Sequence, residues 1–196
     1  MLEFKNVQLE AVSRELSFVA RLGEVTAIRG DRGSGKTSVV NAILGRTPVS
    51  SGFVTIDGEL VTIGSAPFFR QMVSYVPQDV RLAVGRLSVV VDEMLGIAAS
   101  QGRGCAKAAV VVEMALLGIS EDVLSADIRS LDERQVRLVL AALGAALGGN
   151  IFLLDEPVNS PDALMSSFLR RQAERGRCVV VTECGDYVGC DKTIMI

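Results

Sequence analysis

The run Gly30-Asp31-Arg32-Gly33-Ser34-Gly35-Lys36-Thr37 sets glycines, a lysine and a hydroxyl in the order G-x-x-x-x-G-K-[ST], after an apolar run at 25–29 and before a helical run at 37–44. Glycines let the backbone turn so that successive N–H groups point inward, and a helix starting there adds the positive end of its dipole. The expected product is an anion cradle. Lys36 is expected to reach the β- and γ-phosphates of ATP as a point charge, and the Thr37 hydroxyl to ligate Mg2+. Gly30, Asp31, Arg32, Gly33, Ser34, Gly35 and Ser38 complete the candidate phosphate-binding set. A glycine-rich turn without a ligand needs neither Lys36 nor Thr37 in that order.

A second constellation, Ile151-Phe152-Leu153-Leu154-Asp155-Glu156, is an apolar strand pattern ending in two carboxylates, like a Walker B motif. Buried beside the strand that feeds the phosphate loop, it would hold Asp155 near Mg2+ and Glu156 where a carboxylate polarises an attacking water. An acidic turn at a strand end is common by itself; its pairing with residues 30–37 gives it meaning.

These groups need a scaffold. Short β-branched runs at 25–29, 73–76, 151–154, 178–182 and 193–196, separated by glycines and helical stretches, predict an α/β fold. Their continuous apolar character is that of parallel strands covered by helices on both faces. Residues 2–7, 16–19 and 53–61, the last around Asp57-Gly58, read instead as antiparallel hairpins, so a mixed sheet is expected. Residues 88–98, 106–117 and 133–147 have helical patterns. The expected organisation is one domain over 1–196, with a core at 1–81 and 144–196 and a helical subdomain inserted at 82–143.

With 20 Lys plus Arg against 23 Asp plus Glu, the net charge is -3, and no global basic field exists to hold nucleic acid. Apolar residues make up 49% of the chain, enough that some surface is expected to meet a partner. Its apolar stretches are shorter than the ~20 residues of a membrane span, and the first residues lack a signal-peptide pattern. Cytoplasmic residence is expected. Cys105, Cys178, Cys184 and Cys190 form no C-x-x-C pair, and without histidine they read as reduced thiols. The apolar band of residues 106–117 is expected to pack in the helical subdomain, although it would also suit a helix of a membrane partner. Arg170, Arg171, Arg175 and Arg177 read as a solvated helix face.

Three further segments resemble the ATP-binding cassette (ABC) family. Val73-Ser74-Tyr75-Val76-Pro77-Gln78-Asp79 is similar to its Q-loop, which implies that Gln78 senses Mg2+ and the γ-phosphate. Glu156-Pro157-Val158-Asn159-Ser160-Pro161-Asp162 resembles its D-loop region, which implies that Asp162 faces a second nucleotide-binding subunit. The third glycine, Gly33, and the hairpin 51–58 also match. The resemblance spans most of the chain and implies a P-loop NTPase fold. It further implies an ATPase subunit that dimerises with a second ABC subunit, homo- or heteromeric, and attaches to an integral-membrane permease at the cytoplasmic face. Nucleic acid is not an expected partner.

Departures accompany the match. Leu131-Asp132-Glu133-Arg134-Gln135 falls on the family's Leu-Ser-Gly-Gly-Gln signature, with Asp132 and Glu133 replacing its serine and glycine donors. A carboxylate about 5 Å from a phosphate charge costs about 3 kcal/mol per pair at an effective dielectric near 20, a cost that Arg134 would partly offset. Glu183 stands in the place of the switch histidine. The segment between Asn6 and Leu16 is short and offers no place for the aromatic residue that stacks on adenine. The expectation is Mg-ATP binding with slow hydrolysis in isolation; the alternative is a degenerate regulatory module of ABC type.

Overall fold

The computed structural model describes residues 1–80, 85–156, 163–183 and 189–196. In chain order its elements are β1 (Leu2–Gln8), β2 (Leu16–Ala20), β3 (Val25–Arg29), α1 (Lys36–Ile43), β4 (Ser51–Ile56), β5 (Glu59–Leu60), α2 (Ala66–Arg70), β6 (Val73–Val76), α3 (Leu87–Ser100), α4 (Lys107–Leu116), α5 (Glu133–Leu147), β7 (Ile151–Asp155), α6 (Ala163–Glu174), β8 (Cys178–Glu183) and β9 (Lys192–Met195). Two compact units emerge, one of Met1–Tyr75 with Gly149–Ile196 and one of Val76–Gly148.

The first unit carries antiparallel and parallel pairing in two separate sheets. A four-stranded sheet runs in the order β2-β1-β4-β5, and a five-stranded sheet in the order β6-β7-β8-β3-β9. The β4–β5 hairpin closes through Asp57 and Gly58, both at positive φ, as a two-residue turn between right-twisted strands requires. Phe4 and Phe18, opposite each other on β1 and β2, stack with ring centroids 4.6 Å apart. They join one apolar cluster with Val39, Val40 and Ile43 of α1 and with Ile28, Leu153 and Val180 of the parallel strands. Phe168 of α6 meets Phe152 of β7 edge to face at 6.0 Å. Every residue of β7 and of β8 is buried, which explains why their sequences are apolar runs rather than alternations.

Register decides what the sheet offers at its carboxyl edge. β7 and β8 pair in parallel with Asp155 beside Thr182, and β3 and β8 with Arg29 beside Glu183. Ligands of open α/β sheets bind outside that edge, where side chains from strands distant in sequence converge.

The second unit is helical. Its core contains Leu87, Val91, Val110, Met114, Val136, Val139 and Leu143. Val110, Met114 and Leu117 of the apolar band at 106–117 are buried, whereas Val112 is 58% exposed, so packing takes most of that band. Asp132 is the N-cap of α5: its Oδ1 accepts the Gln135 N–H at 2.7 Å, while Gln135 Oε1 accepts the Asp132 N–H at 3.1 Å. Two N–H groups that a helix start leaves without partners are thereby satisfied.

The arginine-rich surface near α6 differs from a simple solvated face. Arg170 forks onto Asp191 at 2.9 and 3.1 Å and donates to the Gly189 carbonyl at 2.7 Å. Arg177 donates at 2.8 Å to Gln172, whose side chain is wholly buried. Fixed acceptors, not helix polarity alone, hold these guanidinium groups.

Candidate functional site

The phosphate loop leaves β3 at Gly30 and enters α1 at Lys36 through Gly35, whose φ of 99° lies in the left-handed region. A side chain there would be strained, and its Cβ would stand 2.5 Å from the Ala11 carbonyl oxygen. At Gly30 a Cβ would lie 2.7 Å from the Ile196 carbonyl oxygen. Among the described residues, no side-chain hydrogen bond caps the start of α1, whose positive end the loop presents.

Lys36 is 4% exposed, and its ammonium is held by two loop carbonyls, Gly30 at 2.8 Å and Asp31 at 2.9 Å. The same Nζ lies 3.3 Å from Glu156 Oε1. Asp31, Arg32, Gly33 and Thr37 are exposed, and Gly30, Ser34, Gly35 and Ser38 are half-buried. The loop thus brings its lysine and the second strand-end carboxylate together.

Asp155, at the end of β7, is 2% exposed. Its Oδ1 accepts the Thr182 hydroxyl at 2.7 Å, and the Thr182 oxygen in turn accepts the Glu156 N–H at 2.8 Å. One hydroxyl therefore fixes both acidic residues. Glu156 has φ 47°, left-handed backbone that a non-glycine residue adopts only at some cost. Tyr75 also hydrogen-bonds Asp155; burial first, then the Asp155 charge, push its phenol above the ordinary value, against the pull of Arg46, which sits 5.1 Å over the ring. A protonated phenol is a donor, so Tyr75 and Thr182 both serve the Asp155 carboxylate.

At the neighbouring strand ends, Arg29 Nε donates to Glu183 Oε1 at 2.6 Å, and the Glu183 carbonyl accepts the Gly30 N–H at 3.4 Å. Sequence reasoning gave no role to Thr182, Tyr75 or Arg29. Thr182 and Arg29 gain their importance from strand register, which residue patterns do not display.

Other expected site residues belong to the second unit or fall outside the described residues. Gln78 is half-buried, just beyond the end of β6, in the second unit. Asp132, Glu133 and Arg134 are exposed at the start of α5, where Asp132 and Gln135 cap the helix. Pro157, Asp162 and Cys184 lie outside the described residues. Among the described residues, no group of three or more Cys, Asp or Glu side chains has metal-binding geometry, and no helix is long and apolar enough to cross a membrane.

The loop fits a polyphosphate on its own features. Ser34 Oγ is buried without a hydrogen-bond partner among the described residues, the condition of a donor awaiting an acceptor, and an ammonium stands against the loop carbonyls. Thr37 and Asp155 offer hard oxygen donors of the kind Mg2+ prefers.

Comparison with known sequences then decides the family. The ABC transporter family matches residues 13–159, a stretch containing the phosphate loop, Asp155 and Glu156. The chain belongs to the ABC transporter family. Ribose import ATP-binding protein RbsA 3 of Rhizobium meliloti is 26% identical over 99% of the chain and 42% of its own length. A putative ribose/galactose/methyl galactoside import ATP-binding protein of the same organism is 29% identical over 100% of the chain and 41% of its own length. The cholesterol transporter ABCA5 of Rattus norvegicus is 32% identical over 81% of the chain and 10% of its own length. This ABC chain therefore spans about two fifths or less of the curated relatives named here. Among solved structures, the ATP-binding cassette MJ0796, dimeric and bound to ADP and Pi, superposes with TM-score 0.81 at 19% identity, covering 100% of the chain and 94% of its own. A putative ABC transporter ATP-binding protein from Pyrococcus furiosus gives 0.81 at 17% identity, over 99% and 96%. The ABC cassette fold is thus shared over the full length of the chain.

Proposed function

We propose that this chain is the ATP-binding subunit of an ABC transporter, which binds Mg-ATP on the loop of residues 30–37 and couples it to a membrane permease. The observation that carries the proposal is the meeting of Lys36 and Glu156, with Asp155 fixed beside them by Thr182. Loop N–H groups and Lys36 hold the phosphates, and Thr37 and Asp155 would hold Mg2+. Bound there, the metal would neutralise charge on the phosphate oxygens. Glu156, a carboxylate on the phosphate side of the strand end, accepts a hydrogen bond from water and polarises it.

Family membership and the dimeric state of MJ0796 support a second ABC subunit as partner, and the relatives' names, import ATP-binding proteins and a transporter, support a role in transport; attachment to a permease at the cytoplasmic face is part of the same proposal. Those names span ribose, galactosides and cholesterol, so they do not agree on one cargo. Residues 82–143 are proposed as the helical subdomain of a core at 1–81 and 144–196.

Slow hydrolysis in isolation is part of the proposal, because Asp132 and Glu133 replace signature donors and Glu183 replaces the switch histidine. The second reading, a regulatory module with little turnover, draws on the same replacements and on the tie between Glu183 and Arg29. A steady-state assay of the pure protein tests the main reading. Slow ATP turnover abolished by Glu156→Gln supports it, no turnover with retained binding favours the module, and turnover indifferent to Glu156→Gln contradicts the assigned role.

A further inference from the structure

Asp155 stands in the middle of a row that crosses three strands. The sheet order β6-β7-β8 sets Tyr75 of β6 on one side of it, and strand register sets Thr182 of β8 on the other. Side chains two apart on a strand share a face, and Val73, Leu153 and Val180, two residues before each member of the row, lie in the apolar cluster with Val39, Val40 and Ile43 of α1. The row therefore faces the helix that the phosphate loop feeds. Each neighbour turns a hydroxyl onto the carboxylate, Thr182 at 2.7 Å from Oδ1 and Tyr75 through its phenol. Arg46, shortly after α1, fixes the phenol in turn: it hydrogen-bonds the oxygen and covers the ring at 5.1 Å from its centre.

Two neutral donors on rigid strands do something that a paired cation would not. They orient the carboxylate while leaving its charge, and they do not exhaust the about four lone-pair sites it has for acceptance. We propose that Tyr75 is a positioning residue of the metal site, whose phenol fixes the Asp155 carboxylate for Mg2+ and so sets how far Mg2+ strengthens nucleotide binding. The proposal rests on the Mg-ATP reading above. Hydrogen-bond partners behind a metal-ligating group are commonly worth about 10–100-fold in metal affinity. Removing the Tyr75 hydroxyl leaves the Thr182 bridge to Asp155 and Glu156 in place, so its effect is read on the metal ligand alone.

The test measures dissociation constants for AMP-PNP, a non-hydrolysable triphosphate, by calorimetry with Mg2+ and with EDTA; their ratio reports what the metal adds. Tyr75→Phe keeps the ring under Arg46 and loses only the hydroxyl. It should leave the constant in EDTA within about threefold of the parent's and cut the ratio about tenfold. Asp155→Asn should cut the ratio as well, and Tyr75→Phe added to it should cut it no further, because the phenol acts through that carboxylate. Should Tyr75→Phe not fold, the unmodified protein supplies the measurement. The chain has two tyrosines, and the NMR signal of the Tyr75 phenol carbon, assigned as the one that persists in Tyr187→Phe, should move when Mg2+ joins the AMP-PNP complex; a signal indifferent to Mg2+ would count against the proposal. A ratio unchanged in Tyr75→Phe, with affinity lost equally in Mg2+ and EDTA or not at all, marks a merely structural contact and overturns the proposal, as does a further loss in the double variant. Either result leaves the phosphate-loop assignment standing. An unmodified protein that binds AMP-PNP equally with and without Mg2+ overturns the proposal and the metal assignment together, and one that does not bind it overturns the nucleotide reading as well.

Discussion

The Lys36 ammonium lies 3.3 Å from the Glu156 carboxylate, joining the end of the phosphate loop to the end of an apolar strand far along the chain. Neither residue is held there by the other alone. Two loop carbonyls orient Lys36, and the Thr182 hydroxyl anchors Glu156 through its backbone N–H. Charges of opposite sign set on rigid elements in this way can share a phosphate and a water between them, which is the arrangement phosphoryl chemistry requires.

Thr182 should therefore matter to both stability and nucleotide binding. Thr182→Val keeps the shape but removes the donor to Asp155 and the acceptor for the Glu156 N–H. The expected cost is about 1–3 kcal/mol in urea denaturation, since buried polar groups lose a partner. A midpoint unchanged from the parent protein would show that the hydroxyl bridge carries no weight.

Asp132 has a role that does not depend on a second subunit. Because it caps α5 reciprocally with Gln135, Asp132→Ala should destabilise the protein alone by about 1 kcal/mol. If its side chain mattered only through contact with a partner, unfolding of the single chain would be indifferent to the change.

The clamp at Asp191 gives a dependence on acid. Burial raises its carboxyl, but the Arg170 hydrogen bonds and the Val25 N–H outweigh this and hold it below the ordinary value. A depressed carboxyl stabilises the fold above its unfolded pKa, near 4, and that contribution disappears as pH falls through the lower folded value. The group is partly exposed, so screening limits the effect to about 1 kcal/mol or less. Thermal melting from pH 5 to pH 2 should fall more steeply for the parent than for Asp191→Asn; parallel curves would remove Asp191 from the account.

Much of this was legible in residue order. The glycine and lysine spacing marks the loop because backbone geometry demands those types, and the apolar runs mark strands buried on both faces. The helix at 133–147 shows itself by its helical pattern of apolar residues. What order could not reveal depends on register. Nothing in Thr182 announces that it stands beside Asp155, and nothing in Arg29 announces Glu183; those neighbours exist only once β7, β8 and β3 align. The short helix α2, five residues long, is below the length at which periodicity is recognisable. The acidic replacements at the signature are visible in the sequence, but the use of Asp132 as a cap requires the backbone of α5.

Calorimetric titration of Mg-AMP-PNP into the parent protein and Lys36→Ala tests the central assignment most directly. Loss of charge-assisted contacts to the phosphates should weaken binding by about tenfold or more, with folding retained. Equal affinity in the two proteins would mean that the loop does not hold the nucleotide, and would contradict the account.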